Sequence, residues 1–207
     1  RLGWSHGDQE IFSIDEMIEK FDLANVNKSA STYSVDKLLW LNQQYIKESN
    51  VEHIAQHLNA HLGKLGVDPA NQDNLNGVIQ AQQDRAKTLV EMAEGSLFFF
   101  KDFTEFDAAA AKKHLRPVAA EPLKAMLNAF ENMAEWSVDA IHAQINKVAE
   151  QLDVKMGKIG MPLRVAICGQ GNSPDINLTA YLIGKEKCIA RINMALEFIA
   201  QRQKEQQ

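Results

Sequence analysis

Apolar residues recur along this chain with the spacing of a helix, and strand-like alternation is almost absent. Apolar side chains repeating at three and four residues must bury one stripe of a helix, whereas a half-buried strand needs a period of two. Capping signals sit where such stripes begin. Ser13-Ile14-Asp15-Glu16 places a serine at the N-cap and a glutamate three residues on, a capping box that opens a helix to about Phe21. Ser34 caps a second helix, in which Leu38, Leu41 and Tyr45 form one stripe flanked by Leu39 and Ile46. A third spans about Asn50 to Lys64 with Ile54, Leu58, Leu62 and Leu65 inward and Gly66 beyond its end.

Asp68-Pro69 starts a turn, and Asn74 to Lys87 reads as the fourth helix. Thr88 caps the fifth, which carries Leu89, Met92, Leu97 and the run Phe98-Phe99-Phe100. Asp107 followed by four alanines is a strong helix start, because aspartate caps and alanine has the best helix propensity. Arg116-Pro117 interrupts, and helices follow over about 119–132 and 137–152. Leu163 to Cys168 is β-branched enough for a strand. Pro162 before it and Gly169 after it instead predict a short helix with proline at its first position. Ser173-Pro174 opens another helix in the same way, and Lys185 to about Arg202 closes the chain ahead of a polar tail, Gln201–Gln207. The fold class expected is all-α, with its best internal breaks at Gly63–Asp73 and Arg116–Glu121, neither long enough for a flexible linker.

The chain has 207 residues, 45% hydrophobic and 24% charged, which supports a packed core and makes disorder the poorer reading. No apolar run approaches the length of a membrane span. It begins Arg1-Leu2-Gly3-Trp4, without initiator methionine or apolar signal segment, as an excised piece would. Cys168 and Cys188 fit no metal spacing and read as reduced, partly buried cytosolic thiols. The net charge of −5 argues against indiscriminate nucleic-acid binding. Lys155 to Arg191 nonetheless holds six basic residues (Lys155, Lys158, Arg164, Lys185, Lys187, Arg191) against Asp175 and Glu186, a local excess of four positive charges. A basic patch for an anionic partner and a solvated, lysine-rich helix face both follow from that excess.

Three features imitate chemical sites. His53, His57 and His61 stack on one helical face. The metalloprotease pattern needs glutamate directly after the first histidine, where Ile54 stands, so the reading is a half-exposed polar stripe and no metal site. Gly169-Gln170-Gly171 lacks the downstream Gly-Lys-Ser/Thr of a phosphate loop and reads as a capped turn between helices. Trp4, Trp40 and Trp136 sit among helical apolar residues and read as core before base-stacking platforms. No nucleophile motif is present, so no catalytic residue is assigned.

Several strings, in order and from end to end, carry one resemblance. Arg1-Leu2-Gly3-Trp4-Ser5-His6-Gly7-Asp8-Gln9-Glu10 is similar to the segment after the Lys-Met-Ser-Lys loop of the bacterial glutamyl-tRNA synthetase family. Val26-Asn27-Lys28-Ser29-Ala30 and Leu39-Trp40-Leu41-Asn42-Gln43 resemble its next block, and Arg85-Ala86-Lys87-Thr88-Leu89 its anticodon-domain helix junction. Met161-Pro162-Leu163-Arg164-Val165-Ala166 and Ile183-Gly184-Lys185-Glu186 resemble its C-terminal end. The catalytic signatures His-Ile-Gly-His and Lys-Met-Ser-Lys are absent.

The resemblance implies a partial stem-contact domain over 1–50 and two helical anticodon-binding subdomains over 51–115 and 116–207. It implies a cytoplasmic, monomeric partner of the anticodon loop of tRNA(Glu), with no membrane or DNA role. The parent enzyme uses ATP and Mg²⁺ to load glutamate on tRNA, and neither small substrate is expected to bind here. The turn Gly171-Asn172-Ser173-Pro174-Asp175-Ile176 matches the family's base-contacting loop, with Ser173 offering a hydroxyl, Pro174 shaping the turn and Ile176 packing against a base. Arg164 matches a family arginine at the anticodon, and Arg85 or Lys87 stands where the family places a basic reader. Asp175 departs from the small neutral residue found elsewhere and adds negative charge near RNA. Arg164 has three possible roles: a base contact, a phosphate contact or an internal pair with a carboxylate. The rival reading is a helical protein-interaction scaffold without RNA, from which the ordered strings separate the family reading. The apolar residues Trp4, Ile11 and Phe12 are expected to be exposed, because the family packs that region against a catalytic half.

Overall fold

The computed structural model describes residues 3–28, 32–68 and 74–205, and among these every regular element is a helix apart from one bridged pair, His6 with Gln9. Besides two 3-10 turns, Leu23–Asn25 and Pro117–Ala119, the α-helices in chain order are α1 (Ile14–Lys20), α2 (Val35–Glu48), α3 (Val51–Lys64), α4 (Leu75–Gln82), α5 (Leu89–Gly95), α6 (Leu97–Phe100) and α7 (Ala108–His114). They are followed by α8 (Ala120–Glu131), α9 (Val138–Gln151), α10 (Met156–Cys168), α11 (Ile176–Ile183) and α12 (Lys185–Glu205). The protein is all-α, as the periodicity predicts. Readings that fall on Arg1–Leu2, Ser29–Ala30, Pro69, the far end of the Gly63–Asp73 break and Gln206–Gln207 lie outside the described residues.

Six helix starts carry a side-chain cap, and those at Ser13, Ser34, Thr88 and Asp107 are the caps the sequence predicts. The side chains of Ser13, Ser34, Asn50, Thr88, Asp107 and Ser137 each accept from a backbone N–H in the first turn of the helix that follows. Each satisfies one of the four N–H groups a helix start leaves without a partner. The end of α3 is equally local. Gly66 takes φ of 75°, the Gly66 N–H donates to Gly63 O and the Val67 N–H to Leu62 O, both at 3.0 Å. Only a residue without a β-carbon adopts that left-handed turn cheaply. Val67 is thereby folded back into the core.

One continuous apolar core runs from Ile46 to Ile199. Leu58 and Leu62 of α3, Met126 and Phe130 of α8, Ile141 and Ile145 of α9 and Leu163 of α10 are its most enclosed side chains. Leu115 and Ala119, on either side of the break at Arg116-Pro117, are both buried in it. Arg191 of α12 is also buried. Its Nη1 donates to Phe98 O and Ile167 O, both at 2.8 Å, and its Nη2 to Lys101 O at 3.1 Å and Asp102 Oδ1 at 3.0 Å. One guanidinium thus closes the C-terminal ends of α6 and α10 together, over the ring of Phe103.

Four sequence expectations change. Helix α4 ends at Gln82 and not at Lys87, leaving 83–88 as a loop, and Asn74 precedes it in the left-handed region with no side-chain cap. The fifth helix breaks at Ser96 into α5 and α6. Pro162 lies inside α10, which starts six residues earlier at Met156. The Met156–Gly160 turn carries two glycines and no side-chain cap, so it gives no start signal, while burial of Ile159, Pro162 and Leu163 holds the turn in place. Pro174 likewise precedes α11 without starting it, since Ile176 is the first helical residue and Asp175 the cap position.

The N-terminal segment departs most. Phe12 is buried and Trp4 and Ile11 half-buried, whereas Ile14, Ile18 and Leu23 are 77%, 74% and 79% exposed. The apolar stripe of α2 buries only Ile46; Leu38, Trp40 and Tyr45 stay exposed, so Trp40 is not core. Trp136 does pack on the core, edge-to-face with Phe130.

Candidate nucleic-acid interface

Two loops, distant in sequence, meet on one face. The first is 83–88, between α4 and α5; the second is 169–175, between α10 and α11. Arg85 Nη2 donates to Asn172 Oδ1 at 2.5 Å, across 87 residues of chain. Both side chains are exposed.

Each loop is fixed from behind. In the first, the Arg85 and Ala86 N–H groups donate to Gln82 O, at 2.9 and 3.1 Å. Gln82 Nε2 donates to Gly95 O, and Ala86 is buried. Helix α2 grips the same loop through its amides. Asn42 Nδ2 donates to Lys87 O at 2.6 Å, Gln43 Nε2 to Asp84 O at 3.1 Å, and Lys47 pairs with Asp84 at 3.2 Å. Gln83 Nε2 returns the contact, donating to Ile46 O at 2.9 Å and Ser49 O at 2.7 Å.

In the second loop, Gly169 ends α10 with φ of 74°, against the ring of Phe103, and its carbonyl accepts the Asp107 N–H at 2.7 Å. The Gly169-Gln170-Gly171 stretch is a capped turn, as its sequence predicts. Gln170 Nε2 donates to Asn172 O at 3.0 Å. Arg164 reaches over from α10, its Nη1 donating to Ser173 O at 2.7 Å, to Pro174 O at 2.6 Å and to the Ser173 hydroxyl. Thr179 Oγ1 donates to Pro174 O at 3.2 Å from beneath. Burial holds the Arg164 guanidinium below its usual value; the Arg85 charge adds to this, while Cys168 and Asp175 oppose it.

The expected site residues therefore divide. Arg85, Arg164, Ser173 and Pro174 come together around Asn172. Ser173 and Pro174 are buried, and the serine hydroxyl is turned into the fold and engaged there. Arg164 pairs internally, though with carbonyls and a hydroxyl where a carboxylate was one expectation. Lys87 is exposed two residues beyond Arg85, its N–H donating to Glu91 Oε2. Ile176 packs against the core. Residues that the sequence left without a role are Asn42, Gln43 and Gln83, whose partners lie some forty residues away, beyond the reach of any local pattern.

The basic excess of Lys155–Arg191 is largely consumed inside the fold. Arg191 is buried, Arg164 braces a turn, and Lys185 Nζ donates to Glu131 O at 3.0 Å and Met133 O at 2.8 Å, at the end of α8. Lys155, Lys158 and Lys187 remain exposed. Burial pushes the Cys168 thiol up to about 12 and the Cys188 thiol upward as well; both are free, buried cysteines. Among the described residues no three His, Cys, Asp or Glu side chains converge as metal ligands, and no helix is long and apolar enough to cross a membrane. His53 and His57 meet edge to face, ring centres 4.8 Å apart.

The fold has known counterparts. The model of the anticodon binding domain family matches residues 17–196. A glutamate tRNA ligase from Elizabethkingia meningosepticum, solved in complex with its amino acid, superposes with a TM-score of 0.86 at 33% identity, over 96% of this chain and 39% of its own. A glutamate-tRNA synthetase from Elizabethkingia anophelis gives 0.81 at 33% identity, over 95% of this chain and 38% of its own. The chain therefore spans about two fifths of the length of these relatives. With the family model running from α1 into α12 and the fold shared throughout, this chain belongs to the anticodon binding domain family.

Proposed function

We propose that the chain is the tRNA-binding, anticodon-reading region of a glutamate–tRNA ligase, and that the face around Arg85 and Asn172 receives the anticodon loop of tRNA(Glu). The observation that carries this is the meeting of the 83–88 and 169–175 loops through an exposed guanidinium, in a chain of the anticodon binding family. Unstacked anticodon bases present their Watson–Crick edges, and a guanidinium offers a planar fork of donors that pairs with such an edge. In this reading residues 51–115 supply the Arg85 loop, 116–207 the Asn172 loop, and 1–50 lie toward the tRNA stem. Lys87 neutralises phosphate, which positions RNA without reading it. Arg164, Ser173 and Pro174 shape the turn, and Ile176 supports it from the core side. The enzyme as a whole uses ATP and Mg²⁺ in the cytoplasm, and those reactants belong to the part of the longer enzyme that carries the catalytic signatures. The region itself works as a monomer.

The test is salt-titrated binding of the purified chain to tRNA(Glu) and to the same tRNA with a changed anticodon. Arg85→Ala is expected to weaken the cognate complex by about 1–3 kcal/mol and the altered one less, whereas Lys87→Ala lowers both alike. Equal affinity of the Arg85→Ala variant and the parent for every tRNA, with the fold intact, removes Arg85 from the interface.

A further inference from the structure

We infer that Asn42 and Gln43 of α2 are positioning residues for Arg85, so that part of the anticodon selectivity is held in the N-terminal segment and not in the two loops that touch RNA; this rests on the function proposed above. Arg85 is held at its backbone and at its tip, with the side chain open to solvent. Its N–H is taken by Gln82 O at 2.9 Å and its guanidinium tip by Asn172 at 2.5 Å. The carbonyl before it, Asp84 O, accepts from Gln43 at 3.1 Å, and the carbonyl two residues after it, Lys87 O, accepts from Asn42 at 2.6 Å. The two α2 amides therefore bracket the arginine. Successive residues on a helix project about 100° apart, so Asn42 and Gln43 can grip two carbonyls three residues apart only if the loop lies across the helix in one register.

The remaining contacts fix that register. Gln83 Nε2 donates to Ile46 O and Ser49 O at the end of α2, and Lys47 pairs with Asp84. Apolar packing cannot supply this fixing, because Ile46 is the only buried residue of α2 and the loop contributes only Ala86 to the core. A loop held mainly by directional polar bonds has a defined height and tilt, and both reach RNA through Arg85. Loss of the brace leaves the guanidinium in place chemically and lets its fork wander. A base edge demands that the fork be aligned, whereas a phosphate accepts a charge from many directions, so selectivity falls before affinity does.

The experiment is a mutant cycle read on tRNA(Glu) and its anticodon-changed counterpart, using the chain itself, Arg85→Ala, the pair Asn42→Ala with Gln43→Ala, and all three together. The brace pair is expected to lower the cognate-to-altered affinity ratio about fivefold, one bond's worth of net stabilisation, with the salt slope unchanged. Added to Arg85→Ala, the pair is expected to lower the ratio no further, because it acts through the arginine. Gln43→Met keeps the volume, loses the donor and is expected to follow the same pattern with an unaltered melting temperature. Additive losses in the triple variant, or a brace pair with undiminished selectivity beside an Arg85→Ala variant that has lost it, overturn the inference alone. An Arg85→Ala variant with full selectivity overturns the inference and the proposed function together.

Discussion

Helices α1 and α10 show two different ways of being a helix. Helix α10 buries seven of its thirteen residues and has no side-chain cap at its start; α1 buries none of its seven and is capped at both ends of a reciprocal box. Ser13 Oγ accepts the Glu16 N–H at 3.1 Å and Glu16 Oε2 accepts the Ser13 N–H at 2.8 Å. Lys20 Nζ then donates to Gln9 Oε1 at 3.2 Å and Glu16 Oε1 at 3.4 Å. Helix α1 is thus held by local polar bonds, and α10 by tertiary burial that tolerates an internal proline. The same division separates the N-terminal segment from the rest. Trp4, Phe12, Ile18, Phe21, Leu38 and Leu41 line an open apolar groove of about 840 Å³, while α3 to α12 close on a continuous apolar core.

The largest expected effect tests this division directly. Leu163→Ala is expected to cost about 2–5 kcal/mol, because a fully enclosed side chain is lost and a cavity remains. Ile18→Ala, on an exposed face of α1, is expected to stay within about 0.5 kcal/mol. Urea denaturation of both variants checks the contrast, and similar costs would break it. Next in size is Arg191→Met, which removes four donated hydrogen bonds, two of them to the buried Phe98 and Ile167 carbonyls and the others to Lys101 O and Asp102, while keeping apolar bulk. A loss of about 2–4 kcal/mol is expected, with the α6 and α10 ends losing amide protection first. A melting temperature equal to the parent's would show that the core closes without its one buried cation among the described residues.

What was legible in the sequence follows the same line. Ser13, Ser34, Thr88 and Asp107 announce their helices because a cap is a bond between near neighbours. Pro162 misleads because its tolerance depends on burial supplied by other helices, and the lysine-rich excess misleads because Arg191 and Lys185 spend their donors on distant carbonyls. The α2 stripe at Leu38 and Tyr45 has the right period for a core face, yet among the described residues it is only partly covered, Leu38 staying 48% and Tyr45 36% exposed. At the candidate interface, Arg85 and Asn172 stand in recognisable strings, but their meeting, and the amides of Asn42 and Gln43 behind it, are tertiary facts that no spacing encodes.

The smallest expected effect sharpens the comparison at α1. The Ser13 N–H, Gln9 and Lys20 hold the Glu16 carboxyl down to about 2, from an ordinary 4.5. A carboxylate whose folded value lies below its unfolded one contributes stability above the unfolded value and loses it as pH falls through the folded one. The helix-closing contribution of Glu16 is therefore complete above pH 4.5 and fades toward pH 2. Since the group is open to solvent, screening keeps the global effect small, and the readout must be local. Side-chain carboxyl shifts followed by NMR are expected to place Glu16 well below an ordinary glutamate, with the Ser13 amide shift moving over the same interval. Glu16→Gln keeps an acceptor for the Ser13 N–H and is expected to abolish the pH response of that amide while leaving α1 helical. Amides of α10, whose start uses no such bond, should not respond to the substitution. An ordinary titration at Glu16, or an α10 that follows it, would mean that the two helices are not held in different ways after all.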